Sequence, residues 1–264
     1  MRSPSENALL RHAKALRASC QTTIQRLNTR LRPWLLRETY ALPLDLFRIL
    51  AGLLCVGYFL TLLWQARDFS NPDGFLDHVV LRRIFWFTGI SLFHPGLGLA
   101  FFHVLFGLAG VVSWGIVLGY RIKLCAAILY AIAVSTYRWN FIVMYVDDVV
   151  MHLVLFWLLL LPVGRTLTLG DYLGQPRGCW TRWSRVTVPG AVVRCFLANV
   201  ALLYLLAGLW KLTSPLWQQG FALYAILRLP LAYQPDVWGP QHLPLLRVLN
   251  YAVLIVELML PVFL

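Results

Sequence analysis

Lys211 stands where a long apolar stretch ends, and an amine in that position can carry acid–base chemistry. A lysine where a membrane-spanning helix meets water can reach the water and stay charged, or it can be desolvated and become a neutral base. Tyr204 lies seven residues earlier on the same stripe, and Trp210 and Trp217 flank the amine with aromatic surface that excludes water. Lys211 is therefore the candidate catalytic residue, and the three aromatic residues are candidates for ligand binding.

Two adjacent carboxylates, Asp147 and Asp148, follow Asn140 and open another apolar run. Acids at a helix N-terminus are favoured by the helix dipole, so capping alone can explain them. The alternative is a proton-handling site, because neighbouring acids near a membrane repel each other and His152 lies one helical turn after Asp148. Asn140 and both aspartates join the candidate ligand-binding residues. The histidines show no recurring metal-ligand spacing, so no metal is expected.

Asp45 and Arg48 form a second polar pair at the start of an apolar run. A spacing of three residues places both side chains on one helix face, where pairing is the least costly way to keep two charges at that depth. The alternative is that one of them orients a lipid headgroup or a substrate carboxylate.

The composition indicates the solvent in which this chain folds. Hydrophobic residues make up 59% of its 264 residues, charged residues only 13%, and the mean hydropathy is +0.69, which is typical of an integral membrane protein. In a soluble domain, a net charge of +12 would indicate binding to nucleic acid. Here the basic residues are instead distributed unequally between the two sides of the predicted membrane domain. The expected partner is therefore the lipid bilayer and not nucleic acid.

Six apolar runs predict an all-α, polytopic transmembrane bundle of about six spans. The last run is still apolar at Leu264, which favours a further C-terminal part. The predicted spans are Leu42 to Trp64, Leu97 to Gly119, Leu124 to Val143, Val149 to Gly164, Val188 to Trp210, and a run that starts near Val248.

The distribution of basic residues predicts a cytoplasmic N-terminus, with 14 basic residues on the inner side and 7 on the outer side. Residues 1–40 form a basic arm, whose spaced leucines and arginines suggest an amphipathic helix on the anionic inner leaflet or else a solvated tail. Residues 41–264 form the membrane domain. The segment from Lys211 to Arg247 could cover an outward-facing cavity around Lys211.

Four blocks of this sequence resemble the HTTM domain, the membrane domain that bacterial proteins share with vitamin K-dependent gamma-carboxylase. The resemblance covers roughly residues 42–264 and implies a helical protein of the bacterial inner membrane. The blocks are Asp45-Leu-Phe-Arg48-Ile-Leu-Ala-Gly52, Gly119-Tyr-Arg-Ile-Lys123-Leu, Trp139-Asn140 through Asp147-Asp148, and Ala207-Gly-Leu-Trp-Lys211-Leu followed by Trp217, Gly220 and Ala222-Leu-Tyr224.

The resemblance also implies a mechanism, because the carboxylase lysine that matches Lys211 is regarded as the catalytic base. Neutral Lys211 would deprotonate a reduced naphthoquinone of the vitamin K type, and oxygen would convert that quinol into a strongly basic alkoxide. The alkoxide would take a γ-proton from a glutamyl side chain of a peptide substrate, and carbon dioxide would capture the carbanion. A membrane fold suits such a carboxylase-like lyase, because water must be excluded from so strong a base.

A second hypothesis is a non-catalytic membrane subunit, or the partner of a larger complex that matures a peptide. Short bacterial members of this family include such a peptide-maturation component. The tryptophan and tyrosine surfaces would then dock a membrane-protein partner, and Lys211 would only anchor the end of a helix. The sequence leaves the two hypotheses open.

Overall fold

The computed structural model describes residues 29, 32–70, 74, 76–85, 91–142, 146–173, 185–229 and 237–264. These residues form an all-α fold with one short two-stranded ribbon. Five of the described helices are long and apolar enough to cross a bilayer, which confirms the prediction of a polytopic helical membrane protein. The chain divides into two compact units, Met1–Val192 and Val193–Leu264.

The first unit is built around four apolar helices. Helix α1 packs along α4, α5 packs along α6, and α4 also contacts α5. A two-stranded antiparallel ribbon joins the end of the predicted arm to the chain just before the second unit. The elements are β1 (Thr39–Tyr40), α1 (Leu42–Trp64), α2 (Ala66–Phe69), α3 (His78–Ile84), α4 (Leu99–Leu118), α5 (Ile122–Trp139), α6 (Val146–Leu160), α7 (Leu169–Leu173) and β2 (Thr187–Val188).

The amphipathic helix predicted for the basic arm falls mostly on residues 1–28, which lie outside the described residues. The described part of the arm includes β1, which lies at the C-terminal end of the arm. In this ribbon Thr39 pairs with Val188 and Tyr40 pairs with Thr187. The ribbon was not predicted, because two-residue strands leave no periodic signal in a sequence.

The fourth predicted span, Val149 to Gly164, ends earlier than expected. Helix α6 ends at Leu160, two residues before Pro162, and Gly164 takes a left-handed conformation with φ of 82°. Proline lacks the N–H that would continue the helix, and glycine adopts positive φ without strain. The described part of this helix has 15 residues and is about 22 Å long, compared with the roughly 30 Å hydrocarbon layer.

Asp45 and Arg48 form the predicted ion pair, and both side chains are fully buried. Asp45 also accepts hydrogen bonds from the backbone N–H groups of residues 164–166 and from the hydroxyl of Thr166. The Arg48 guanidinium donates to the carbonyl oxygens of Ile116 and Val117 at the end of α4, and to that of Leu167. The pair therefore joins the start of α1 to the end of α4 and to the loop after α6.

The helices α1 and α4 approach closely beside this pair. A Cβ atom on Gly52 would lie 2.7 Å from Cγ2 of Val117 and 2.9 Å from its backbone nitrogen. Only glycine allows the two backbones to come this near, so Gly52 brings the end of α4 within reach of Arg48.

An aromatic cluster fills the opposite end of the first unit, where α5 ends. The ring of His78, which is 1% exposed, stacks on the Trp139 ring with centroids 3.8 Å apart. The Trp139 indole donates to the carbonyl oxygen of Phe69, and the ring of Phe93 meets it edge-on. Helix α3, which carries His78, is capped by Asp77. This cluster anchors α2 and α3 to the end of α5.

The second unit consists of two long helices and the short segments between them. Its sixth predicted span starts earlier than expected, at Leu243 rather than near Val248, because Pro244 suits the first turn of a helix. The elements are α8 (Gly190–Leu212, which begins in the first unit), α9 (Pro215–Gln218), α10 (Ala222–Leu227), a 3₁₀ turn (Pro240–His242) and α11 (Leu243–Phe263).

Replacing Asp45 tests the buried network. We expect Asp45→Asn to lower the free energy of unfolding by about 3 to 5 kcal/mol, because the buried Arg48 guanidinium would lose its counter-charge. Asp68→Asn, which alters an exposed carboxylate of the same unit, should change it by less than about 0.5 kcal/mol. Denaturation in detergent micelles, followed by circular dichroism, measures both. Equal stability of the two variants would contradict this role for Asp45.

Acidification tests the burial of His78. Burial lowers the pKa of His78 from its ordinary 6.5 to about 4, with nearby Asp77 opposing this shift. The folded state therefore favours the neutral imidazole, and the associated stability is complete above pH 6.5 and is lost as the pH falls towards 4. We expect this histidine to contribute a loss of about 3 kcal/mol over that interval.

The measurement is the unfolding free energy at pH 7.5 and pH 4.5 for the parent, for His78→Phe and for His94→Gln, the last of which alters an exposed histidine. His78→Phe should lose less stability on acidification than the parent, and His94→Gln should lose as much as the parent. The same acid-induced loss in all three proteins would rule out His78 as its source.

Candidate functional site

Lys211 lies in the last turn of α8, and its Nζ donates a hydrogen bond to Oε1 of Glu257. Glu257 belongs to α11, so the contact joins the two long helices of the second unit. The side chains of Lys211 and Glu257 are 24% and 13% exposed. The amine therefore neither extends freely into solvent nor lies alone in an apolar pocket.

Trp217 covers the amine of Lys211. Its ring centroid lies 4.8 Å from Nζ, a distance at which a cation is attracted to the face of the ring. Of the other two aromatic candidates, Trp210 is 80% exposed and Tyr204 is 36% exposed. The aromatic cover predicted from the sequence thus comes from Trp217, which follows α8, more than from the residues on α8 itself.

Gly208 allows α11 to approach the lysine. A Cβ atom at this position would lie 2.9 Å from Cδ2 of Leu258 and 3.4 Å from Cβ of Glu257. The small residues Ala207 and Gly208 leave room beside Lys211. At Gly208 that room is taken by α11, and the close approach brings Glu257 to the lysine.

Glu257 was not among the residues selected from the sequence, although it is a carboxylate inside an otherwise apolar run. That rarity was the available signal, because an acid within a membrane segment needs a partner. It lies on the inward stripe of α11, which also carries Leu246, Asn250 and Leu254. The stripe is therefore apolar except at Asn250 and Glu257.

Each of these polar positions has one buried oxygen without a hydrogen-bond partner, namely Oδ1 of Asn250 and Oε2 of Glu257. Buried polar atoms are normally paired, and an unpaired one calls for an explanation. Both atoms are acceptors, and each would be satisfied by a hydrogen-bond donor. Lys211, Trp217, Asn250 and Glu257 are called the Lys211 cluster below.

Two side chains of α11 hold the segment that carries Trp217. Nδ2 of Asn250 donates to the carbonyl oxygen of Trp217 at 2.9 Å, and the hydroxyl of Tyr251 donates to that of Gln218, also at 2.9 Å. The segment then turns at Gly220, whose φ is 76°. These contacts fix α9 so that the Trp217 ring stays over the amine. The part of the predicted cover at residues 230–236 lies outside the described residues.

The remaining candidates, Asn140, Asp147 and Asp148, belong to the first unit. Asn140 is fully buried, and its Nδ2 donates to the carbonyl oxygen of Asp68 at 3.2 Å. Asp148 is 6% exposed and accepts a hydrogen bond of 2.8 Å from the hydroxyl of Tyr58 on α1. The side chain of Asp147 lies outside the described residues. The selected residues are thus divided between the two units.

The Lys211 and Glu257 pair has two protonation states with the same total charge. The proton resides on the amine in the ammonium–carboxylate form, and it resides on the acid in the amine–carboxylic acid form. A neutral lysine is the state that base chemistry requires, and in this pair it arises when the proton moves along the contact to Glu257.

In the described part of the chain no three or more His, Cys, Asp or Glu side chains are grouped so that they could hold a metal ion. The proton-transfer reading depends only on the side chains of the Lys211 cluster.

Comparisons with protein-family models, with curated proteins and with solved structures found no match for this chain. The resemblance to the HTTM domain therefore rests on the residue blocks alone. What the protein does has to be inferred from the contacts of its own side chains, above all those of Lys211 and Glu257.

Proposed function

We propose that this protein is a membrane enzyme that transfers a proton between the Lys211 and Glu257 pair and a lipid-soluble substrate. The observation that carries the proposal is the hydrogen bond between a lysine and a glutamate at the end of an apolar helix, with the second carboxylate oxygen buried and unpaired. An ion pair with only a structural role would gain stability from pairing both oxygens. Oε2 of Glu257 is buried and unpaired, so a hydrogen-bond donor that reached it would be stabilised.

Each member of the cluster has a role in this reaction. Glu257 takes the proton of Lys211 through their shared hydrogen bond, and the neutral amine then accepts a proton from the substrate. Trp217 excludes water from the amine, and Asn250 holds the segment that carries Trp217. The exclusion of water is what keeps the amine from being reprotonated by solvent.

The substrate class that fits best is a quinol. A reduced naphthoquinone of the vitamin K type carries two O–H groups, and the unpaired acceptor oxygens of Asn250 and Glu257 suit donors of this kind. When bound, such a quinol would supply the reducing equivalents for the carboxylase-like chemistry that the HTTM resemblance implies. We extend the proposal to an HTTM-type, quinol-dependent enzyme of a bacterial inner membrane with a cytoplasmic N-terminus.

A non-catalytic subunit is the second candidate, and the exposure of α8 favours it. In the most apolar 18-residue window of α8 only 11% of the residues are buried, compared with 33% in α1. A helix with so little burial presents a broad apolar face, which suits a membrane-protein partner as well as lipid. Purification of a stoichiometric complex that lacks quinol turnover would favour this candidate.

Substitution of Lys211 tests the enzyme. The parent, Lys211→Ala and Lys211→Arg are placed in lipid nanodiscs with a vitamin K-type hydroquinone under air, and quinol consumption is followed by chromatography. We expect both variants to lose at least about 100-fold in rate, because alanine has no base and arginine keeps its proton. Lys123→Arg, which preserves a cation that binds the carbonyl oxygens of Leu158 and Leu161, should stay near the parent rate. Parent-like turnover by Lys211→Arg would overturn the proposal.

A double-substitution cycle tests the pair without any substrate. Lys211→Met should lower the free energy of unfolding by about 2 kcal/mol, because it leaves a mostly buried carboxylate without its cation. Adding Glu257→Leu should restore most of that loss, since neither charge then remains. Chemical denaturation of the parent, both single variants and the double variant gives the coupling free energy. Additive effects of the two substitutions would show that the residues do not interact.

A further inference from the structure

Two exposed arginines of the second unit lie over aromatic rings. The guanidinium carbon of Arg247 is 4.8 Å from the ring centroid of Phe221, and that of Arg228 is 5.8 Å from the ring centroid of Tyr224. Within the described residues no carboxylate forms an ion pair with either guanidinium. The proton-transfer proposal uses none of these four residues, so the two positive charges are not explained by it.

The two rings lie on the same face of one helical turn. Phe221 directly precedes α10, and the backbone N–H of Ala225 donates to the carbonyl oxygen of Phe221 at 2.9 Å, which makes this turn helical. Tyr224 is three residues after Phe221, a spacing that puts the two Cβ atoms roughly 5 to 6 Å apart on one helix face. The two rings are neighbours, and each carries its own cation.

Packing holds the side chain of Arg247 against the turn before α10. A Cβ atom on Gly220, whose φ is 76°, would lie 2.5 Å from Cγ of Arg247 and 3.2 Å from its Cδ. The hydroxyl of Tyr251, one helical turn after Arg247, fixes the same segment through the carbonyl oxygen of Gln218. A guanidinium that is already ordered loses little conformational entropy when it binds an anion.

Arg247 lies where a membrane-spanning helix begins. It follows the start of α11 at Leu243 by four residues, and α11 is long and apolar enough to cross a bilayer. The exposed residues that follow it along α11 include Val248, Leu249 and Ile255, all of which are apolar. A molecule bound at this position would therefore meet cations at one end and an apolar helix surface at the other.

The guanidinium groups restrict the chemistry of such a molecule. Each presents N–H donors in a planar fork that fits an oxyanion such as phosphate. Where a span begins, the abundant oxyanion is the phosphate of the lipid headgroups. In a zwitterionic lipid this phosphate is accompanied by an ammonium group, which two arginines repel, whereas an anionic headgroup carries no such cation. The combination of two cations and an apolar surface thus favours an anionic phospholipid.

We propose that Arg228 and Arg247 form a binding site for the headgroup of an anionic phospholipid. The guanidinium groups donate hydrogen bonds to the phosphate oxygens, and the rings of Phe221 and Tyr224 hold the guanidinium groups in place. The acyl chains lie along the exposed apolar residues of α11. The site shares no residue with the Lys211 cluster, so its test does not depend on proton transfer.

Native mass spectrometry of the full chain in detergent tests the site. The protein is titrated with phosphatidylglycerol and with phosphatidylcholine of the same acyl chains, and the dissociation constant of the first bound lipid is measured for each. We expect the parent to bind phosphatidylglycerol at least about tenfold more tightly than phosphatidylcholine. The double variant Arg228→Gln, Arg247→Gln should reduce this ratio to about one, because glutamine carries no charge. Inorganic phosphate should not release the bound lipid, since it has no acyl chains to bury.

The matched control is the double variant Arg67→Gln, Arg83→Gln. It removes the same charge from two exposed arginines of the first unit, which lie over no aromatic ring within the described residues, and it should keep the tenfold preference. The double variant of Arg228 and Arg247 to lysine keeps the charge but loses the planar donors, so it should bind phosphatidylglycerol at least about threefold more weakly.

Four outcomes would contradict the proposal. They are an unchanged preference when Arg228 and Arg247 are glutamine, an equal loss of preference in the control variant, parent-like binding by the lysine variant, and release of the bound lipid by inorganic phosphate. The second would indicate a general attraction of this basic protein for anionic lipid, and the last would indicate a site for soluble phosphate.

Discussion

The Asp45 and Arg48 network is the constraint on which the first unit depends. Inside a bilayer no water pairs the free carbonyl oxygens at a helix end, so each end must find partners within the protein. The Arg48 guanidinium serves the end of α4 and the loop after α6, while Asp45 binds three consecutive N–H groups of that loop. One buried ion pair thus replaces the solvent for two parts of the chain.

The second unit contains an ion pair of a different kind. Asp45 uses both oxygens and accepts at least five hydrogen bonds, whereas Glu257 uses one oxygen for Lys211 and leaves the other unpaired. Complete pairing fixes a structure, and incomplete pairing leaves binding capacity at a cost in stability. A carboxylate paired with a cation therefore serves as a rigid joint in one unit and, in our proposal, as a reactive site in the other.

Local features of this chain were predictable and distant pairings were not. Apolar runs located the helices, because the hydropathy that drives a span into lipid is a property of consecutive residues. The Asp45 and Arg48 pair followed from a spacing of three residues on one helix. Lys211 meets a partner 46 residues later, and the stack of His78 on Trp139 joins elements still further apart. Such contacts depend on tertiary packing, which composition and periodicity do not encode.

The short helix α6 has a consequence for the surrounding membrane. Between Asp148 and the helix end at Leu160, the exposed residues Val149, Phe156 and Leu160 present an apolar band of only about 17 Å to the acyl chains. Lipids next to such a band must compress or tilt to cover it, at a modest elastic cost per ångström. The energy of that deformation would be lowest in bilayers of short or unsaturated lipids. The thickness of the host membrane is therefore one determinant of the membrane in which this protein has its lowest energy.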